Sequence, residues 1–231
     1  MPFDHFPKET LPFLESIEKN NTKEWFEAHK DDYTRYILEP SRTFVEEMGE
    51  HLQALVPTIN AIPKINASLF RIYRDTRFSK NKTPIKSKIG IIFWQGKDIR
   101  MQSSCFYLHF SPKELLVASG IRTFDPDLLS AYRDYIKIDE NREALHDILE
   151  TLKMQGYRIE APHYKRLPHA FEKDMSHEYL ARMKAVAAYH TAPSSLISEK
   201  KLIPELFSHY EHFLPLQQWL YRMTLTKAKA D

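Results

Sequence analysis

The sequence predicts an α+β fold, an antiparallel (meander-type) sheet packed by N-terminal and C-terminal helices. Three observations predict it. Apolar residues recur at helical spacing before residue 57 and again after residue 125. Between them, over about 66–122, the spacing falls to two, the period of a half-buried strand. No helical pattern separates these strands, which points to hairpin neighbours instead of strand–helix–strand units. At 231 residues the chain fits a single domain, 1–231, with helices over about 10–55, the sheet core over about 66–122, and helices and loops over about 125–226.

Leu11, Leu14 and Ile17 predict a short helix over about 10–19, ended by Asn20-Asn21. Asn21 followed by Glu24 resembles a capping box for a second helix, in which Trp25, His29, Tyr33 and Ile37 recur every fourth residue until Pro40 stops it. Phe44, Met48, Leu52 and Leu55 line a third helix over about 41–55. Residues 68–75 alternate, with Phe70 and Ile72 opposite Arg71, Tyr73 and Asp75, and predict a strand. Strands are also expected over 86–95, 105–110 and 114–122. In 105–110, Phe106, Leu108 and Phe110 form a core face opposite Cys105, Tyr107 and His109. Asp125-Pro126 reads as an N-cap followed by proline at the first helical position. A helix with Leu128, Leu129, Tyr132 and Ile136 follows, then one over about 140–153 closed by Gly156. Residues 157–175 predict a loop with one short strand, 184–190 a further strand, and 203–225 a helix pair or one helix kinked at Pro215. The last residues, 226–231, are expected to fray.

Composition narrows the function classes. The net charge is only +2, which argues against wholesale nucleic-acid binding and leaves anion recognition to a local patch. A single cysteine, Cys105, allows neither an internal disulfide nor a cysteine-based zinc site, as suits a reducing cytosol. The first residues carry no basic and apolar pattern of a signal peptide, and the longest apolar run, about 89–94, is too short for a membrane span. A soluble cytoplasmic protein is expected, without contact to a membrane.

One stretch concentrates the chemistry. Residues 71–88 hold seven Lys or Arg (71, 74, 77, 80, 82, 86, 88) against one acid, Asp75, a local charge of 7 − 1 = +6. Arginine offers a planar fork, lysine a point charge and Ser or Thr a hydroxyl, a set suited to phosphate or carboxylate. The loop lacks the glycines of a Walker motif. The run Arg71-Ile-Tyr-Arg-Asp75-Thr-Arg77-Phe78-Ser79-Lys80-Asn-Lys82-Thr83-Pro84-Ile-Lys86 closely resembles the motif of a bacterial family catalogued as domain of unknown function 2461. The N-terminal segment from Phe13-Leu14 to Tyr33 and the segment Phe106-Tyr107-Leu-His109 match it as well. The resemblance covers roughly residues 3–225 and implies one α+β domain, but it implies no activity.

If strands 68–75, 105–110 and 114–122 are neighbours, Arg71, Tyr73, Asp75, Tyr107, His109 and Arg122 share a face, with Trp25 and Tyr33 above it. This predicts a cleft for a phosphorylated or carboxylated small molecule. Arg71, Arg74, Arg77, Lys80, Lys82, Lys86 and Arg122 are its candidate anion-binding groups, and His109, Tyr107 and Asp75 its candidate catalytic groups. Two alternatives remain open: nucleic-acid or protein association through the basic loop without chemistry, and structural pairing of Arg71 and Arg74 with acids such as Glu24 or Asp31. No cofactor is implied. No metal site is expected, since His209, Glu211 and His212 lack a third ligand in the sequence.

Overall fold

In the computed structural model, which describes residues 3–77, 79–97, 99–172 and 174–227, helices accompany a six-stranded antiparallel sheet. Phe78 of the motif and residues 228–231 of the expected frayed end lie outside the described residues. Helix α1 (Thr10–Lys19) buries Phe13, Leu14 and Ile17. Helix α2 (Lys23–Ala28) is capped by Thr22, whose hydroxyl accepts from the Trp25 amide at 3.1 Å, and not by the expected Asn21.

The expected stop at Pro40 does not occur. Helix α3 (Lys30–Tyr33) passes through a π-helical turn, Thr34–Leu38, directly into α4 (Glu39–Leu55). Proline has no N–H to give the carbonyl four residues back. The buried Thr10 hydroxyl donates to that carbonyl, Tyr36 O, at 2.7 Å, and so satisfies the acceptor that Pro40 abandons. Phe44, Val45, Met48 and Leu52 then form the buried face of α4.

The strands are β1 (Ile59–Asn60), β2 (Ile89–Gln95), β3 (Cys105–Phe110), β4 (Leu115–Ile121), β5 (Arg158–Ile159) and β6 (Val186–Ala192). Their order is β1-β2-β3-β4-β6-β5, a meander for the first four with the last two exchanged. β3 alternates as expected: Phe106, Leu108 and Phe110 are fully buried, while Cys105, Tyr107 and His109 are half-buried. Residues 68–75 do not form a strand. They make two isolated antiparallel bridges, Leu69 to Ile91 and Tyr73 to Ile85. Ser68, Leu69 and Ile72 are buried and Phe70 half-buried, while Arg71, Tyr73 and Asp75 are exposed, so the expected faces persist although no regular strand forms and Leu69 is buried out of phase.

Two compact units divide the chain. The first comprises Met1–Phe93, Tyr107–Val117 and Thr191–Ser208, the second Trp94–Phe106, Ala118–His190 and His209–Asp231. In the first, Phe6 joins Phe110 and Phe44 at ring distances of 4.7 and 5.8 Å, and Phe44 reaches Phe93. The second holds α5 (Pro126–Lys137) and α6 (Asp139–Met154), and the C-terminal helix α7 (Leu202–Lys227), one element with Pro215 inside it, contributes residues to both units. Asp125 caps α5 by accepting from the Leu128 amide at 2.8 Å. The buried Arg142 donates to the Ile136 and Lys137 carbonyls, closing the last turn of α5. Tyr210 and Trp219 of α7 pack on Phe106 and Tyr135. Among the described residues no helix is long and apolar enough to cross a membrane.

Gly120 of β4 sits at φ +138°, and a Cβ there would lie 2.2 Å from the Val186 carbonyl oxygen and 2.6 Å from the Ala187 Cα. Both are backbone atoms of β6, so nothing flexible can yield. Gly120→Ala is therefore expected to destabilise the fold by roughly 3 kcal/mol, a Tm fall of about 6–12 °C for a chain of this size by calorimetry. An unchanged Tm would mean that the two strands separate freely.

Candidate functional site

The basic stretch folds as an irregular ribbon within the first unit. Four backbone bonds tie residues 68–74 to 84–92: Ile92 N to Ser68 O, Phe70 N to Gly90 O, Lys86 N to Ile72 O and Arg74 N to Pro84 O, at 2.7–3.1 Å. Between the last two, Tyr73 and Ile85 face each other as a pair without mutual hydrogen bonds, so the Ile85 peptide groups point away from the ribbon. Asn21 receives both. Its Oδ1 accepts from Ile85 N at 3.0 Å and its Nδ2 donates to Ile85 O at 2.9 Å, an amide side chain standing in for a neighbouring strand. This is why Asn21 is not available as a helix cap.

Two further contacts bind the ribbon to the N-terminal helices. Ser87 donates to Glu18 at 2.8 Å, and the Tyr73 hydroxyl donates to Glu27 at 2.6 Å while its ring meets Phe26 edge-on. At the tip, short polar side chains organise the chain locally. Arg77 forks onto Asp75 with Nε to Oδ1 at 3.1 Å and a terminal nitrogen to Oδ2 at 2.7 Å, and its own amide also donates to Oδ1. Asn81 accepts from the Thr83 amide and hydroxyl, and Lys82 donates to the Thr76 carbonyl at 2.8 Å. Arg77 beside Asp75, with Arg71 further off, holds the Asp75 carboxyl well below the usual range. Asp75 thus serves as the carboxylate anchor for Arg77.

The predicted residues fall into several settings. Arg71 is about half exposed, its side chain 3.9 Å from Asp75 rather than paired with Glu24 or Asp31. Arg74 is half-buried, and its Nε is enclosed without a hydrogen-bond partner. Lys86 donates to the Arg71 carbonyl at 2.8 Å. Lys80 is exposed at the tip. Tyr107 and His109 lie in the same unit, their rings 5.8 Å apart, and Phe70 stands 6.0 Å from Tyr107 at 87°. The acid next to His109 is Glu114, 3.5 Å away across the β3–β4 turn, and not Asp75. Arg122 is exposed and belongs to the second unit, not to the unit that holds this row. Trp25 and Tyr33 find other partners: Trp25 stacks on His29 at 4.0 Å, and Tyr33 packs on Phe26. Phe6 of the N-terminal region, itself packed on Phe44, covers Phe110, on the face of β3 opposite Tyr107 and His109.

Sequence reasoning missed Gly90 and Glu114, and it missed the roles of Asn21 toward Ile85 and of Glu27 toward Tyr73. Gly90 makes room for the aromatic row, since a Cβ there would lie 2.9 Å from the Tyr107 hydroxyl and 3.2 Å from the Phe70 ring. Only Glu114 left a usable signal, an acid five residues after His109 across a short hairpin. Cys105 takes no part: burial pushes its thiol up to about 12, and it donates to the Gly120 carbonyl.

A helix-flanked antiparallel sheet carrying an arginine-rich ribbon places the chain among α+β proteins. Residues 9–219 match the model of the family described as conserved hypothetical protein (DUF2461), and the chain belongs to that family. No curated protein and no solved structure matches it.

The Glu27–Tyr73 bond sets a pH dependence of definite sign. The Tyr73 hydroxyl, and after it Lys30, lowers Glu27, while the bond to Glu27 and then burial push Tyr73 up to about 12. Glu27, depressed in the fold, contributes above the unfolded carboxylate pKa and loses that contribution as pH falls through its folded value. Tyr73, raised in the fold, contributes below pH 10 and loses its share as pH rises through about 12. Tyr73→Phe is expected to return the Glu27 titration toward the ordinary carboxylate range by NMR, and to remove one late-titrating tyrosine from the alkaline absorbance curve. Unchanged titrations would mean that the bond does not form in solution.

Proposed function

We propose that the ribbon and the adjoining aromatic row bind a phosphorylated or carboxylated small molecule, with His109 and Tyr107 available for proton exchange. The observation that carries this reading is the continuity of polar and cationic groups within one unit. His109 touches Tyr107, Tyr107 touches Phe70, and Phe70 leads directly into Arg71, while the stretch's single acid is already engaged by Arg77. An enclosed arginine nitrogen without an acceptor, as at Arg74, is a group that an anionic ligand satisfies. Glu114, 3.5 Å from His109 Nε2, gives the imidazole an acidic neighbour. A reducing cytoplasmic setting fits a chain whose single thiol is packed away.

A thermal-shift screen with inorganic phosphate, sugar phosphates, nucleoside monophosphates and di- and tricarboxylates tests the reading. A true ligand at one hundred times its Kd is expected to stabilise the protein by about 2.7 kcal/mol, roughly 5–10 °C for this length. Arg71→Ala and Arg74→Ala should abolish that shift, and a shift that survives both variants would sink the assignment.

The exposure of the ribbon tip favours a second reading, nucleic-acid association without chemistry. The Arg77 side chain is 76% exposed and Lys80 and Lys82 are exposed with it. Here affinity for duplex DNA should fall with a log–log salt slope of about −0.9 per phosphate contact. Binding indifferent to salt, or to replacement of Arg77 and Lys80 by alanine, excludes it.

A further inference from the structure

A second polar centre lies wholly in the second unit and is independent of the ribbon. Tyr157, between Gly156 and β5, is only 6% exposed and packs on Phe213 at 4.6 Å. Its hydroxyl lies 2.8 Å from Nδ1 of His209 and 2.8 Å from Nδ1 of His212. The two histidines, three apart on α7, face the same side of the helix. His190 of β6 stacks on His209 at 4.5 Å and 28°.

A phenol has one proton and can give it to one imidazole only. The other imidazole must then donate its own Nδ1–H to the phenol oxygen. Three donor atoms therefore share two protons. Ligand atoms about 2.0–2.1 Å from a transition metal, at right to tetrahedral angles, stand about 2.8–3.4 Å from one another. The two oxygen–nitrogen separations around Tyr157 already have that length.

We propose that Tyr157, His209 and His212 bind one first-row transition dication, Cu²⁺ or Zn²⁺, through the phenolate oxygen and the two Nδ1 atoms, with His190 alongside. No set of three His, Cys, Asp or Glu side chains among the described residues is arranged to hold a metal, and the phenol supplies the third donor that the histidines lack. The exchange balances. The phenol proton leaves to solvent, and the shared imidazole proton moves from Nδ1 to Nε2, so one proton is released for each ion bound with neutral histidines. A dication beside the phenol stabilises the phenolate and lets its proton leave.

The test titrates the purified, chelator-stripped protein with Cu²⁺ and with Zn²⁺ by calorimetry in buffers of different ionisation heat. The expected result is one ion per chain, release of one proton, and a phenolate-to-Cu²⁺ charge-transfer band. Tyr157→Phe, which keeps the ring against Phe213, should remove the band and weaken binding about 10–100-fold. His212→Gln, at an exposed position, should weaken binding similarly, so the proposal stays falsifiable even if the tyrosine variant does not fold. No saturable uptake, uptake without the band, or wild-type affinity in either variant each overturns the proposal.

Discussion

Burial of Phe106, Leu108 and Phe110 on one face of β3 is the constraint on which the rest of the molecule depends. Because side chains alternate along a strand, a slip of one residue would send Tyr107 and His109 into the core and three large apolar groups to the surface. Full burial of each such side chain stabilises by about 1.5–3 kcal/mol, whereas an exposed ion pair contributes about 0–1 kcal/mol. The apolar face therefore chooses the register. The polar row that the functional reading uses takes its position from it.

The ribbon obeys the same hierarchy despite its charge. Leu69, Ile72 and Ile85 are nearly fully buried, while the Asp75–Arg77 and Asp75–Arg71 pairs are exposed. Asn21 completes the hydrogen bonding of Ile85 so that this segment docks without a regular ladder. Polar contacts thus specify where the ribbon lies, and apolar burial holds it there. Tyr73 joins both roles, with its ring against Phe26 and its hydroxyl on Glu27.

What was legible in the chain depended on whether the deciding partner was local. The alternation of residues 105–110 and the Asp125-Pro126 cap report on neighbours a few residues away, and both appear as expected. Pro40 was misleading because its rescue comes from Thr10, far off in sequence, and proline by itself reads as a stop. Asn21 beside Glu24 has the form of a cap, but Ile85, 64 residues on, claims its amide. Residues 68–75 alternate in exposure as the pattern suggests, yet isolated bridges replace ladder pairing there, because their partners, Ile85 and Ile91, lie further along the chain and only Ile91 belongs to a regular strand. Tyr157 carries no pattern at all in the sequence, since its histidine partners lie 52 and 55 residues away.

The same distinction governs how the basic stretch should be weighed. A run of seven cations is conspicuous in a sequence, but recognition depends on donors not engaged inside the loop. Arg77 is forked onto Asp75, Lys82 reaches the Thr76 carbonyl and Lys86 the Arg71 carbonyl. Arg71 has only a long, exposed contact to Asp75, and the Arg74 Nε is enclosed without an acceptor. In the small-molecule reading, specificity then rests on two arginines at the base of the ribbon, next to Phe70 and the Tyr107–His109 row. The more exposed tip contributes less, because solvent and salt screen its charges while those at the base are screened less.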